Sequence, residues 1–593
     1  MPFDAQTGIY SSPTPDIALP DPSLNFFDFL FSSTPYSTAP NAFQCPEPSG
    51  KTWLTDAATG TSYTFEQVRE RTLSFARLFA WEGLGAGTTL AIVSENCIDY
   101  GPWMWAAWRV GAAVTCLNPA FTAEEQRILL EKTNVHSPIK LVVASTGAEK
   151  TVVAACEKSE RLDPVVPVAY SGYDGETLST FSSLDNLLIR SENQPLPPIS
   201  TSKVAMYAFS SGTTGLPKVV PLTHFALICQ NLQGAVHLQA YWPARPDDKM
   251  LAVVPLFHGY GQHSGFHTSL VLNTPVVILP KFSLPAFFSA ISKHRITRIF
   301  LVPPMLLALL ASPATADLSS LRFVLSGGAP LAAEAIAAFR EKYPDVVLKQ
   351  AFGATEGTAA IAVHTEESGA AASSGVLLPN VRFVFVSRLL LTLSHVNFSC
   401  SAKIVSKEGV RLPPGELGEL LVSTPSHALG YLNEIEATKE TFLDDGFFRT
   451  GDLCRFDDND LLYIVDRFNE LIKVSGFQVA PAELEGHLLA HDDIDDAAVI
   501  GIPDSRRGEV PKAYIVLSAA ARARLAAAPS PTGEQDRLVS ALKQHVLDHK
   551  VYYKALGEVE VVDSLPRGAS GKLLRRELRA LHTAKAELQK AKL

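Results

Sequence analysis

Residues Ser210 to Lys218 read SSGTTGLPK: four hydroxyls, two glycines, a proline and a lysine in nine positions. Glycines let a backbone turn with its N–H groups pointing inward, hydroxyls donate hydrogen bonds, and a lysine adds a mobile positive charge. The stretch therefore suits an anion of the phosphate type. It is not a P-loop. Gly212 and Gly215 are separated by two residues instead of four, Pro217 stands between the second glycine and the lysine, and Val219 follows Lys218. Taken alone, the stretch reads equally well as a solvated Ser/Gly turn.

Five further segments set reactive side chains at turns. Pro255-Leu256-Phe257-His258-Gly259-Tyr260 puts a histidine and a tyrosine after an apolar strand. Gln350-Ala351-Phe352-Gly353-Ala354-Thr355-Glu356 sets a hydroxyl beside a carboxylate after a glycine turn. Arg449-Thr450-Gly451-Asp452 offers a carboxylate at a tight turn. Asp466 to Lys473 (DRFNELIK) leads into Gly476-Phe477-Gln478, and Pro566-Arg567 leads to Gly571-Lys572. Singly, each has an ordinary reading: a core histidine, a helix cap, a self-held turn, a surface lysine beside Arg575 and Arg576.

The elements that must position these side chains alternate. Thr64 and Gln67 make a capping box, and Val68, Thr72, Phe75, Ala76 and Phe79 fall on one helical face. Short apolar strands (Thr89–Val93, Val276–Leu279, Arg298–Val302, Phe323–Leu325) alternate with helices, two of them starting near Pro304 and Leu331. The alternation predicts an α/β fold with mostly parallel strands. In such sheets ligands sit at the carboxyl ends of strands, so Ser326-Gly327-Gly328 and Phe352-Gly353 are expected to face one crevice. The first fifty residues, rich in Pro, Ser and Thr, are expected to wrap a surface. Composition changes near Asp466, giving a large domain over 1–466 and a small α+β domain over 467–593, about 125 residues.

At 593 residues the chain is too long for one core. A hydrophobic content of 47% with 19% charged residues describes a folded soluble protein, and the net charge of −10 argues against a nucleic-acid binder. Seven scattered cysteines without a C-x-x-C pair indicate neither a disulfide framework nor a zinc site. Apolar runs are interrupted at Pro303-Pro304 and at Arg388, so no membrane span is read, and no signal peptide. Ala591-Lys592-Leu593 is one small-residue change from the S-K-L peroxisomal address, which implies a peroxisomal import receptor as partner; the cytoplasm is the other compartment expected.

Together, in this order, the segments resemble the adenylate-forming superfamily of acyl-CoA synthetases, 4-coumarate–CoA ligases, firefly-type luciferases and adenylation domains. The resemblance runs from about Thr52 to Lys572 and is nearest to the 4-coumarate–CoA ligase-like group. It implies an AMP-forming acid–CoA ligase: a carboxylate displaces pyrophosphate from ATP, and CoA thiolate then takes the acyl group and releases AMP. It implies that Ser210, Ser211, Gly212, Thr213, Thr214, Gly215 and Lys218 cradle the β- and γ-phosphates. Thr355 would hold the α-phosphate, Glu356 would bind Mg²⁺, and Asp452 would accept the ribose hydroxyls with Arg467 assisting. Phe352, where the family usually has tyrosine, would stack on adenine beside Gly353. His258 would sit between the phosphates and the acyl pocket. Lys572 would supply positive charge at the in-line transition state from a mobile loop. Lys473 and Gln478 match positions near the acyl-adenylate, and Gly476 would let pantetheine pass. The small domain is expected to rotate about Asn469, where the ligase group usually has lysine.

Tyr260, Met305, Gly328 and Ala351 match positions lining the acyl pocket. Tyr260 would either hydrogen-bond a ring hydroxyl or form an apolar wall, leaving hydroxycinnamates and medium-chain fatty acids both open. One segment departs from the family. Removing the apolar Phe383–Ser401 restores its continuity from Pro379-Asn380-Val381 into Ala402-Lys403-Ile404-Val405. An intron retained in the gene model and translated in frame accounts for it; a genuine inserted hairpin or membrane-contact loop is the second reading. The functional alternatives are an adenylating enzyme that loads a carrier protein, a luciferase-like oxygenase, and an inactive nucleotide-binding scaffold.

Overall fold

The computed structural model describes residues 3–590 except 5–8, 33–35, 38–41, 44, 46–49, 146, 160, 163–165, 170–181, 184–187, 199–202, 211–216, 314–316, 332, 366–372, 381–401, 406–411, 413, 468–469, 475–476, 505 and 569–572. Its strands form four sheets. A seven-stranded sheet runs in the order Lys218–Thr223, Val204–Ser210, Ala113–Leu117, Thr89–Val93, Ile139–Ala144, Val166–Ala169, Ser182–Ser183. Every pairing in it is parallel except the hairpin of the first two strands. Thr89–Val93 is buried along its whole length, which is why it reads as an unbroken apolar run.

A nine-stranded sheet has six parallel central strands: Val347–Gly353, Phe323–Ser326, Arg298–Leu301, Met250–Ala252, Val276–Ile278 and Thr52–Asp56. The helices that follow two of them begin close to expectation, at Pro303 and Ala333. The capping box is present, with Thr64 N–H donating to Gln67 Oε1 (2.8 Å) and Gln67 N–H to Thr64 Oγ1 (3.3 Å).

A six-stranded antiparallel sheet departs from the expected parallel pattern. It contains Gly418–Val422, Phe448–Phe456 and Leu462–Arg467 and takes in Ile9–Tyr10. The turn between Phe456 and Leu462 is too short for a crossover, so only an antiparallel return is open to it. The N-terminal segment is also more than a surface wrap. Tyr10 stacks on Phe456 at 4.3 Å, and helix Phe26–Phe31 enters the core beside Trp108. Asn25 caps that helix through Phe27 N–H and donates to the Trp108 carbonyl at 3.0 Å. Its Pro- and Ser-rich flanks mask a short, strongly apolar FFDFLF run.

The small C-terminal unit has five strands: Ile472–Val474, Phe477–Val479, Ile494–Asp504, Gly508–Leu517 and Glu558–Val561. Ile494–Asp504 is covered on both faces. Ala497 and Val499 pack with helices Pro481–Leu489 and Pro531–His549, while Ala498, Ile500 and Ile502 pack with Leu578 of helix Arg575–Lys590. Asp466, buried at the end of the antiparallel sheet, accepts the Ala482 N–H (2.9 Å) and so ties that sheet to helix Pro481–Leu489. Among the described residues no helix is long and apolar enough to cross a membrane.

Candidate active site

Ser210 and Gly353 both end strands at their carboxyl edges, on the seven- and nine-stranded sheets respectively. After Gly353 the chain makes a tight turn, closed by Ala354 N–H to Ala359 O (2.9 Å) and Thr358 N–H to Thr355 O (2.9 Å). Only glycine fits at 353, where a Cβ would lie 1.9 Å from the Ala359 carbonyl oxygen. Thr358 adopts φ +73°, an uncommon conformation for a β-branched residue, and its hydroxyl donates to the Ser426 carbonyl. The turn presents Glu356. Ser210 Oγ and Tyr431 OH each donate to Glu356 Oε1 at 2.7 Å. Among the described residues, Oε2 receives no hydrogen bond.

Tyr431 arrives on a segment laid along the Lys218–Thr223 strand. Leu429 N–H donates to Pro221 O, Leu432 N–H to Val219 O, and Ala428 N–H to the Glu356 carbonyl. Lys218 pairs with Ser210 across the hairpin, and its ammonium lies 4.4 Å from the centre of the Tyr431 ring. Burial, reinforced by Glu356, pushes the Tyr431 phenol far up, so it remains a donor. Ser211, Gly212, Thr213, Thr214 and Gly215 lie outside the described residues.

Asp452 and Arg467 are cross-strand partners at the edge of the antiparallel sheet. Arg467 Nε stands 2.9 Å from Asp452 Oδ1 and its Nη1 donates to Thr450 O. Thr450 Oγ1 accepts the Asp452 N–H (3.1 Å), and Gly451 takes φ +72° at a bulge within strand Phe448–Phe456, where the sequence suggests a tight turn. Buried Asp452 is thereby fixed in place, with half-exposed Arg467 against it.

His258 and Thr355 line one cavity together with Phe257, Met206, His263 and Thr358. Tyr260 N–H donates to His258 Nδ1 (3.3 Å), which leaves the ring proton on Nε2. Tyr260 is buried, and its hydroxyl donates to the Leu325 carbonyl at 2.8 Å. Its ring edge crowds Gly327, where a Cβ would sit 2.8 Å from it. The donated bond anchors the Tyr260 ring on strand Phe323–Ser326. Gly328 follows at φ +86°, Ala351 and Phe352 face Val363 and Ala362 across a strand pair, and half-buried Met305 bridges two core clusters.

Lys473 and Gln478 are directly opposed on a hairpin of the small unit. Lys473 is exposed, and its N–H donates to Glu509 Oε2 at 2.7 Å. Asn469, Gly476 and Lys572 lie outside the described residues. The flanks of Lys572 are held: Arg567 pairs with Asp496 (2.7 Å) and bridges to Leu573, and Arg575 grips Glu485 (2.7 Å).

Sequence reasoning missed Tyr431, Ser426 and Thr358. Gly430, at φ +128°, was the available signal of a special turn beside Tyr431, but nothing in the spacing ties it to Glu356.

The family model described as "AMP-binding enzyme" matches residues 43–432, and that described as "AMP-binding enzyme C-terminal domain" matches 483–572. The chain is 32% identical over 590 residues to 4-coumarate–CoA ligase 3 of Oryza sativa subsp. japonica, covering 96% of this chain and 94% of the relative. It is 31% identical over 595 residues to peroxisomal OPC-8:0-CoA ligase 1 of Arabidopsis thaliana, covering 99% and 98%. Among solved structures, o-succinylbenzoate CoA synthetase from Bacillus subtilis in complex with its acyl-adenylate intermediate superposes with a TM-score of 0.71 at 26% identity, covering 93% of this chain and 97% of that one. With family-model matches over 43–432 and 483–572 and relatives above 30% identity that run nearly end to end, this chain belongs to the AMP-binding enzyme family.

Proposed function

We propose that the protein is an ATP-dependent acid–CoA ligase that forms an acyl-adenylate with release of pyrophosphate and then passes the acyl group to CoA. The observation that carries this reading is Glu356, whose carboxylate is fixed through one oxygen by Ser210 and Tyr431 and which follows Thr355, a residue that lines a cavity with His258. An all-oxygen donor set of carboxylate and hydroxyls suits a hard cation, so Glu356 fits Mg²⁺, which when bound neutralises phosphate charge.

In this reading the carboxylate substrate attacks the α-phosphorus of ATP, and the protein supplies position and charge rather than a nucleophile. Ser210 to Lys218 hold the β- and γ-phosphates, with Lys218 steadied over Tyr431. Asp452 accepts the ribose hydroxyls and is oriented by Arg467. Lys572 delivers the positive charge from the small domain, residues 467–593, which turns about Asn469. Lys473, Gln478 and Gly476 then face the thioester-forming state. Tyr260, with its O–H donated to Leu325 and its ring buried, supports an acid with an apolar body, aryl or alkyl. The Ala591-Lys592-Leu593 ending supports delivery to peroxisomes, which a fluorescent fusion with and without that tripeptide tests.

The deciding assay measures pyrophosphate release from ATP and Mg²⁺, with and without CoA, across hydroxycinnamic, benzoic, medium-chain and long-chain acids. Release that requires one acid class, with the matching acyl-CoA formed, is the expected result. Release without any acyl-CoA points to transfer onto a carrier, and ATP binding without release points to a scaffold.

A further inference from the structure

The small domain carries a histidine cluster that the ligase reaction does not use. Helix Pro481–Leu489 and the turn after it bear His487 and His491; helix Pro531–His549 bears His545 and His549. Both pairs have the i, i+4 spacing that puts two imidazoles on one side of a helix and lets them share a metal. The two helices pack together, so the pairs meet. His487 stacks on His545 with ring centres 4.4 Å apart, His549 lies 4.8 Å and His491 5.3 Å from His545.

The hydrogen bonds set the tautomers. His487 Nε2 and His549 Nδ1 both reach the His545 carbonyl oxygen, at 3.4 and 2.8 Å. A carbonyl only accepts, so each of these nitrogens carries the proton and the other ring nitrogen keeps a lone pair. A ring N–H anchored on a backbone carbonyl is the usual support of a metal-ligating histidine. His545 Nε2 is buried and has no hydrogen-bond partner. His491 differs, because its Nδ1 accepts the Asp493 N–H.

We propose that His487, His545 and His549 form a binding site for one transition-metal ion of the Zn²⁺ or Co²⁺ type, which clips helix Pro481–Leu489 to helix Pro531–His549. One ring nitrogen from each of the three lies within 4.8 Å of the others. Three imidazoles around a tetrahedral ion stand about 3.4 Å apart at ordinary Zn–N lengths, so binding must draw the cluster in from its present spacing of up to 4.8 Å. The fourth position is open to water. Imidazole donors select borderline metals over Mg²⁺, so this site is chemically separate from the oxygen donors around Glu356. The clipped helix is the one whose Ala482 N–H holds Asp466 at the junction with the large domain. Metal therefore stiffens the lid next to its connection.

The full-length protein, stripped with chelator and free of ATP, is titrated with Co²⁺ and followed by visible absorption, with Zn²⁺ as competitor. One equivalent giving a tetrahedral spectrum that Zn²⁺ erases, with a rise in Tm, is expected. His545→Gln and, separately, His549→Gln are expected to weaken binding by about tenfold or more while leaving the metal-free Tm nearly unchanged. His549 is exposed, so its substitution tests the site even if His545→Gln misfolds. Co²⁺ on oxygen ligands near Glu356 would survive both substitutions. Absence of the tetrahedral spectrum, or its persistence in the two variants, overturns the proposal.

Discussion

Tyr431 donates its phenolic hydrogen bond to Glu356 Oε1 at 2.7 Å, although the two residues are 75 positions apart in the chain. The bond fixes the orientation of the carboxylate assigned here to Mg²⁺. Tyr431→Phe removes one donor to a charged acceptor, worth about 1.5–3 kcal/mol. A fall of about 10–100-fold in kcat/KM is expected, together with a higher Mg²⁺ requirement. Unchanged Mg²⁺ dependence of pyrophosphate release would remove Tyr431 from the site.

Lys572 is proposed to act in adenylation and not in thioester formation. Lys572→Ala is expected to lower acid-dependent pyrophosphate release by about 10²–10³-fold, the usual cost of losing one group that stabilises transition-state charge. Conversion of supplied acyl-adenylate and CoA to acyl-CoA is expected to persist. Equal loss of both half-reactions would show that Lys572 serves the fold or both states.

Tyr260→Phe separates wall from reader. It deletes the bond to the Leu325 carbonyl and is expected to cost about 0.5–1.5 kcal/mol of stability in denaturant titration. The preference between a hydroxylated aryl acid and its deoxy analogue is expected to stay the same. A collapse of that preference would show that Tyr260 recognises the ring hydroxyl.

Acid is expected to destabilise the large domain. Burial lowers His224 and His263 to about 3 and His237 and His364 to about 4, from an ordinary value near 6.5. These folded-state values are depressed, so the unfolded chain binds more protons between them and pH 6.5. Stability is full above that range and falls as pH drops through it, by about 1.4 kcal/mol for each imidazole at pH 5.5. A Tm that stays level from pH 7.5 to 5.5 would contradict the buried neutral histidines.

Deleting residues 383–401 is expected to raise soluble yield without loss of ligase activity. The described flanks are held by other parts of the chain: Asn380 exchanges hydrogen bonds with Ile17 (3.1 and 3.2 Å), and Ala402–Val405 pairs with Gly418–Val422. Loss of activity on deletion, or transcript reads running uninterrupted through these codons, would make the segment an integral part of the protein.

The sequence alone determined the elements whose signals are local. The Thr64–Gln67 capping box, the buried Thr89–Val93 strand and the Pro-started helix after Arg298–Leu301 each follow from neighbouring residues. The turn bearing Glu356 was legible as well, and the glycine beside Asp452 marked a special backbone that proved to be a strand bulge, not a turn. Tertiary structure decided what those segments face. Tyr431 reaches Glu356 only because its segment lies along the Lys218–Thr223 strand, beside the strand end that carries Ser210. The Tyr260 hydroxyl donates to a carbonyl 65 residues away, and Tyr10 joins an antiparallel sheet hundreds of residues downstream. The meeting of His487 with His545 likewise required two helices to pack. Such contacts leave no local trace, since hydrogen-bond geometry and burial depend on residues distant in the chain; hydrophobic spacing records which face is inward, not what waits there.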